Sequence, residues 1–388
     1  MEHKILHLCS DGNFIEQSMS VFERFYPGQN TFFLKVKKGK DITYVKSENY
    51  IKFDPYSSST YLDQIEFINN HEHFDIIVLH GLYKSYIEIL KRINPDRNNK
   101  VYWIFWGYEL YRALGEQGKF PLLDNLNPFS KLTWITPTRY NCIAKSLLGK
   151  EHDYRILEEF LPMCDYFCFW FYEDFLLLKK YYSNNLQFKW FSYGALIRND
   201  ILPNDVINFE KNNKEIRISH SASTTANHIT VMKMLRRIDR NNEFKKVFPL
   251  AYGNSIVKKT VIQYGKKWFG DQFVPILEYE KKDEYFKSLS RVGVAIFGQL
   301  RQEAAGNISP LLGYGAKVFL RRKNPLYQYY KDKGYIVFSI EDDLKSIDDL
   351  MPLTQEQMLH NAKVKKDNRI YYEDFMPYLF DEEKNNII

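Results

Sequence analysis

Residues 292–320 constrain the fold more tightly than any other stretch. Val292-Gly-Val-Ala-Ile-Phe297 is an uninterrupted apolar run, which reads as a strand buried on both faces. A polar loop follows with Gln299, Arg301, Gln302 and Glu303, and Gly306 then opens an apolar helix that carries Asn307 in its first turn. Gly315 closes that helix before a second strand, Lys317 to Leu320. A loop at the carboxyl end of a parallel strand, feeding a helix N-terminus, is where α/β proteins hold phosphate, because unpaired N–H groups and the helix dipole both favour an anion. Arg301 adds a planar cationic fork suited to phosphate oxygens. The segment points to a nucleotide-sugar site.

The same alternation runs through the chain. Strands are expected over 3–9, 31–36, 75–79, 100–106, 132–136 and 166–171, with helices over 13–25, after Pro137 and up to Tyr182. A polar stretch at 198–214 reads as an interdomain linker. A second series follows, with strands over 215–219, 246–251, 273–277, 292–297, 317–320 and 335–340 and helices between them. The last helices span about 354–380. At 388 residues the chain exceeds one ordinary core. The expected fold class is therefore α/β, with two doubly wound domains.

Composition narrows the partners. A formal net charge of +6 suits an anionic ligand or peripheral contact with anionic lipid, yet the lysines lie scattered among acids and form no dense basic patch. A nucleic-acid partner is therefore not expected. Cys9, Cys142, Cys164 and Cys168 have no paired Cys-x-x-Cys spacing, so they give no zinc site and read as reduced thiols. The first residues begin directly with a strand, and the most apolar stretch, 166–178, is broken by Glu173 and Asp174, so neither a leader nor a membrane span is expected. The protein is expected in the cytoplasm, with the inner face of the plasma membrane as a place of peripheral attachment.

Candidate chemistry sits at strand ends. His220-Ser221-Ala222-Ser223-Thr224-Thr225-Ala226-Asn227-His228 follows the first strand of the second series and opens a helix, with hydroxyls and amides suited to a diphosphate. Asn227 and His228 are expected to reach a nucleotide or a sugar hydroxyl held there. In the first series, Asp11, His80 and Glu109 stand at three strand ends and are its acid/base candidates. No Asp-x-Asp follows an apolar strand, and Glu341-Asp-Asp reads as a helix start. A site without metal or cofactor is thus expected. Trp103, Trp106, Tyr108 and Tyr111 read mainly as core, with sugar or polyprenyl stacking as the alternative.

On these residues the chain resembles the bacterial TDP-N-acetylfucosamine:lipid II transferases of enterobacterial common antigen synthesis. The shared landmarks are Ser10-Asp11, His80-Gly81, Trp106-Gly107-x-Glu109-Leu110-Tyr111, Ser221, Asn227-His228-Ile229 and Pro249-x-x-Tyr252. They continue with Arg301-Gln302, Gly306, Gly315 and Asn324-Pro325. The resemblance implies a GT-B glycosyltransferase, with two Rossmann-like domains facing across a cleft. It implies an acceptor domain over 1–205, a donor domain over 206–365 and a C-terminal helix over 366–388 that crosses back. Ser221, Asn227, His228, Tyr252, Arg301, Gln302, Gly306 and Asn307 then fall near a dTDP-sugar, with UDP- and GDP-sugars as alternatives. His220, Ser223, Gln299 and Glu303 join them from the strand-end reading. Asp11, His80 and Glu109 fall beside a lipid-linked saccharide acceptor.

Two departures stand out. Residues 120–162 look longer than the family's equivalent. Glu303 matches the first glutamate of a Glu-x7-Glu pattern, but leucines at 311 and 312 stand where the second is expected, which leaves stereochemistry open. A nucleotide-sugar epimerase of the same fold and a non-catalytic nucleotide- or carbohydrate-binding protein are the rival readings.

Overall fold

The apolar runs become parallel strands in a computed structural model that describes residues 3–12, 14–36, 39, 41–54, 73–124, 139–198 and 207–381. The strand expected at 132–136 lies outside those residues. The first sheet contains β1 (Ile5–Ser10), β2 (Asn30–Lys35), β3 (Ile51–Phe53), β4 (Ile76–His80), β5 (Lys100–Ile104), β6 (Tyr166–Phe169) and β7 (Gln187–Trp190). Its order is β3-β2-β1-β4-β5-β6-β7, with every pairing parallel. The second contains β8 (Asn212–Ile218), β9 (Lys245–Pro249), β10 (Phe273–Ile276), β11 (Val292–Phe297), β12 (Lys317–Leu320) and β13 (Phe338–Ser339). Its order is β10-β9-β8-β11-β12-β13, again parallel throughout. Strand order reverses at β1/β4 and at β8/β11, and each reversal opens a crevice at the carboxyl edge.

Two short strands carry no apolar run. In β3 only Phe53 is buried, and β7 reads Gln-Phe-Lys-Trp, so backbone pairing to a formed neighbour defines both. The stretch expected as a strand over 335–340 shortens to β13, because the Ser339 side chain caps a helix that starts at Ile340 by accepting from the Asp342 amide.

The chain divides into two compact units. One takes residues 1–113, 151–200 and 370–388, and the other takes 114–150 and 201–369. Residues 114–150, read with the first domain in the sequence, thus group with the second unit. The reason is visible at Asp124. Its amide donates to Asn227 Oδ1 at 3.1 Å, and its carboxylate takes two bonds from the Arg321 guanidinium, which Glu341 also holds.

In the first unit β5 is buried on both faces. Tyr102 stacks on Tyr166 at 4.4 Å between ring centroids, while Trp103 on the opposite face meets Phe160 at 5.1 Å and Phe167 at 5.3 Å. Residues after Arg369 return to this core. Leu196 bonds the backbone on either side of Tyr371 (Leu196 N to Ile370 O, 3.0 Å; Tyr372 N to Leu196 O, 2.8 Å). Phe375 fills a site against Trp190 and Phe191, and Phe380 packs on Tyr26 and Tyr102. Of the last helices expected over 354–380, one forms and ends at Asp367; in place of the crossing helix expected over 366–388, the described residues form 3₁₀ turns at Tyr372–Asp374 and Met376–Tyr378. Pro377 cannot donate to a helical ladder there. Among the described residues no helix is long and apolar enough to cross a membrane.

Phe375 is fully buried. Phe375→Ala is expected to destabilise the first unit by about 3–5 kcal/mol, read as a lower urea midpoint by aromatic circular dichroism.

Candidate active site

In the second unit the reversal lies between β8 and β11, and two glycines let the loops beyond these strands close on each other. A Cβ on Gly298 would stand 2.5 Å from the Ala226 carbonyl oxygen and 2.9 Å from Val231. Gly253 has φ +115, and a Cβ there would stand 2.6 Å from the Ala222 carbonyl carbon. Backbone bonds Ala222 N to Tyr252 O (2.9 Å) and Asn254 N to Ala222 O (3.0 Å) stitch the ends of β8 and β9 together. Asn227, with φ +52, donates to Gly298 O at 3.0 Å and to Thr225 O at 3.1 Å. Its amide therefore fixes the loops rather than standing open to a ligand.

Inside this frame sits an ionic cluster. Glu303 accepts from the Thr225 hydroxyl, and Ser223 lies 2.8 Å from Thr225. Arg301 Nη2 is 3.3 Å from Glu303, and Arg301 Nη1 donates to Gln302 O at 3.0 Å. His220 Nε2 is 4.0 Å from Glu303 and 3.3 Å from Ser221 Oγ. Burial alone would raise the Glu303 carboxyl, but Arg301, His220 and the Thr225 and Ser223 hydroxyls reverse that and hold it below the usual carboxylate range. Burial lowers His220 and takes His228 down to about 4, so both rings are neutral at pH 7.

The other expected residues divide between frame and rim. Gln299 is fully buried and donates to Ser219 Oγ at 2.9 Å, while its carbonyl takes the Asn324 amide at 3.1 Å. Gln302 and His228 are buried. Tyr252 is 51% exposed at the end of β9, its ring edge-on to His220. Tyr279, which the sequence did not single out, is 70% exposed beyond β10. Only its position one strand over from Tyr252 marks it.

The helix Ala305–Gly313 begins without a side-chain cap. Ala304 adopts φ +68 and its carbonyl accepts from Asn307 (2.8 Å) and Ile308 (2.9 Å). That leaves the amides of Ala305 and exposed Gly306 without an intrahelical acceptor. Asn307 Oδ1 accepts from the Tyr285 hydroxyl. Gly306 has open space around its Cβ position, so no steric demand explains the glycine.

In the first unit, Asp11 accepts amide bonds from Thr43 (2.7 Å), Tyr44 (2.9 Å) and Val45 (3.0 Å), which makes it the anchor of that segment. His80 is 1% exposed, with its nitrogens 3.1 Å from His7 Nδ1 and 2.7 Å from the Tyr193 hydroxyl. Glu109 is buried in the first turn of the helix Tyr108–Glu116. It approaches Gly81 (φ +86), where a Cβ would stand 3.5 Å from Glu109 Oε1 and 3.6 Å from Trp106 Nε1. Glu109 and His80 thus flank Gly81, while the Asp11 carboxylate is occupied by the amides of 43–45. Trp103 and Tyr111 are core, and Tyr111 donates to Asp174 at 2.6 Å.

Two parallel α/β units, each with a polar carboxyl edge at its reversal point, match known proteins over nearly their full length. Sucrose-phosphate synthase from Thermosynechococcus elongatus superposes with a TM-score of 0.63 at 10% identity, covering 96% of both chains. An α-glucosyltransferase in complex with UDP-glucose and abasic DNA gives 0.54 at 13% identity and 98% of both chains. The E. coli trehalose-6-phosphate protein bound with UDP-2-fluoro-glucose gives 0.54 at 11%, covering 97% of this chain and 98% of that one. The fold is GT-B. Residues 193–376 match the model of glycosyltransferase group 56, described as 4-α-L-fucosyltransferase. Family model and GT-B fold together support a glycosyltransferase. No curated protein sequence matches the chain.

Four buried histidines have folded-state pKa values below the unfolded value: His7 at about 3, His228 at about 4, and His80 and His220 in the same direction. As pH falls below about 6.5 the unfolded chain binds protons that the folded one refuses, so stability should drop between about pH 6.5 and 4. Urea midpoints across that range test this, and a flat profile contradicts it. In the same assay Gly298→Ala should cost about 1–3 kcal/mol, because backbone stands in the way.

Proposed function

We propose that the protein transfers a deoxy-amino sugar of the N-acetylfucosamine type from a dTDP-sugar to a lipid-linked saccharide. The observation that carries the donor half is the uncapped helix start at Ala305 and Gly306 beside the Arg301–Glu303–His220 cluster. Free amides, the helix dipole and one guanidinium suit a sugar-bound diphosphate. Glu303 keeps Arg301 oriented and takes part of its charge, so the site is not a bare cation in the absence of donor. His220, Ser221 and Ser223 supply further polar contacts, and Tyr252 and Tyr279 offer exposed rings to a base. The dTDP donor follows from the family resemblance. UDP is the alternative, supported by the UDP-glucose and UDP-2-fluoro-glucose bound in two of the similar structures.

The first unit takes the acceptor. The anomeric C–O bond to the diphosphate breaks, a new bond forms from the acceptor oxygen to the same carbon, and the hydroxyl proton passes to a carboxylate. Glu109 suits this role better than Asp11, whose oxygens hold three backbone amides. In this reading the phosphate charge is met by amides and Arg301, and no step runs through a metal. The mildly basic balance fits an acceptor presented at an anionic lipid surface.

The reading is tested by glycosyl transfer with purified protein and dTDP- or UDP-sugars, alongside calorimetry of dTDP against UDP. Arg301→Ala should lower turnover by roughly 10²-fold, the scale for loss of one donor to a developing oxyanion. Glu109→Gln should abolish transfer while leaving nucleotide affinity intact. Unchanged turnover in Arg301→Ala removes the phosphate role, and release of free nucleotide with no acceptor product favours an epimerase.

A further inference from the structure

A chain of hydrogen bonds in the first unit has only one possible direction. Asn30 Nδ2 donates to Glu23 Oε2 at 3.0 Å and to Tyr26 O at 2.6 Å, so its amide oxygen is the atom left facing His7 Nε2 at 3.1 Å. That oxygen can only accept, so His7 carries its proton on Nε2. His7 is fully buried and neutral, and its Nδ1 must therefore accept from His80 Nε2 at 3.1 Å. His80 is buried and neutral too, since burial and His7 both push it down, so its Nδ1 accepts from the Tyr193 hydroxyl at 2.7 Å. Every proton points inward, away from the carboxyl edge. Neighbouring bonds aligned this way polarise and reinforce one another.

Tyr193 brings the chain to that edge, where its oxygen also takes the Trp106 indole N–H and keeps one lone pair for a further donor. Its ring stacks on Phe14 at 5.5 Å and lies 5.6 Å from the Trp106 ring, and Phe14 is 44% exposed. These rings follow the ends of β1, β5 and β7, and of the three the sequence offered only Trp106 for stacking on a sugar. Aromatic faces beside a few fixed polar atoms are how proteins hold the CH faces and hydroxyls of a pyranose. Tyr193 cannot donate outward, because its proton is held by His80. We propose that Phe14, Trp106 and Tyr193 form a saccharide subsite in which the Tyr193 oxygen accepts a hydrogen bond from a sugar hydroxyl, with His80 and His7 as positioning residues that set this polarity. The subsite deepens the acceptor half of the function proposed above and rests on it for the sugar's role in catalysis.

Two measurements separate this proposal from that reading. In ¹⁵N-histidine NMR of the whole protein at pH 7, His7 and His80 should both appear neutral and protonated on Nε2. A charged ring or an Nδ1–H tautomer at either position overturns the polarity. Titration with N-acetylglucosamine should shift the Trp106 indole N–H resonance. Tyr193→Phe, which keeps the ring, should weaken that binding about fivefold, the equivalent of one net hydrogen bond. His80→Phe should weaken it similarly, and His80→Gln, which retains an acceptor and a donor, should restore most of it. A sugar that leaves Trp106 unmoved, or a Tyr193→Phe variant that binds as well as wild type, overturns the subsite. If sugar binding follows this pattern while no nucleotide sugar supports transfer, the subsite stands and the transferase reading fails.

Discussion

The second unit depends on one close backbone approach. The loop after β11 passes the loop after β8 at Gly298, where a methyl group would stand 2.5 Å from the Ala226 carbonyl oxygen. Asn227 then bridges the two loops with its side-chain amide. Because the loops are locked, Thr225 and Ser223 from one can meet Glu303 from the other, and Arg301 and His220 are gathered around the same carboxylate. Remove the approach and the helix start at Ala305 no longer adjoins any of them. The ionic cluster is thus a consequence of steric permission at a single residue.

The first unit is organised differently. Its strand ends are tied by side chains: Asp11 gathers three amides of the segment 43–45, and two neutral histidines run beneath the sheet edge. Neutral imidazoles suit such a place, since each presents one donor and one acceptor without the desolvation cost of a buried charge. A carboxylate at position 7 or 80 would need a cation that the surrounding aromatic core does not supply.

Much of the fold could be read from the sequence because parallel strands buried on both faces appear as continuous apolar runs, as in 292–297 and 76–80. β3 and β7 were missed because they have no such run. The place of residues 114–150 could not be read because the Asp124–Arg321 pair spans nearly two hundred positions, and neither residue carries a local signal. Strand-end position singled out His220, Ser223, Arg301 and Glu303, which lie in one cluster. It could not separate Asn227 and Gln299, whose amides serve the frame, from residues open to a ligand. Nor could it foresee that His80 faces inward, since that depends on His7 one strand away.

The first unit also carries a temporal consequence. Leu196 bonds the backbone of Ile370 and Tyr372, and the aromatic core of Tyr26, Tyr102, Trp190 and Phe191 is completed by Phe375 and Phe380. A ribosome releases those partners only after the whole intervening series of strands has emerged. The lobe made first is therefore sealed last. Until then Tyr26, Tyr102 and Trp190 remain uncovered, and a nascent chain stalled within the second lobe would present a sticky, unfinished surface to chaperones.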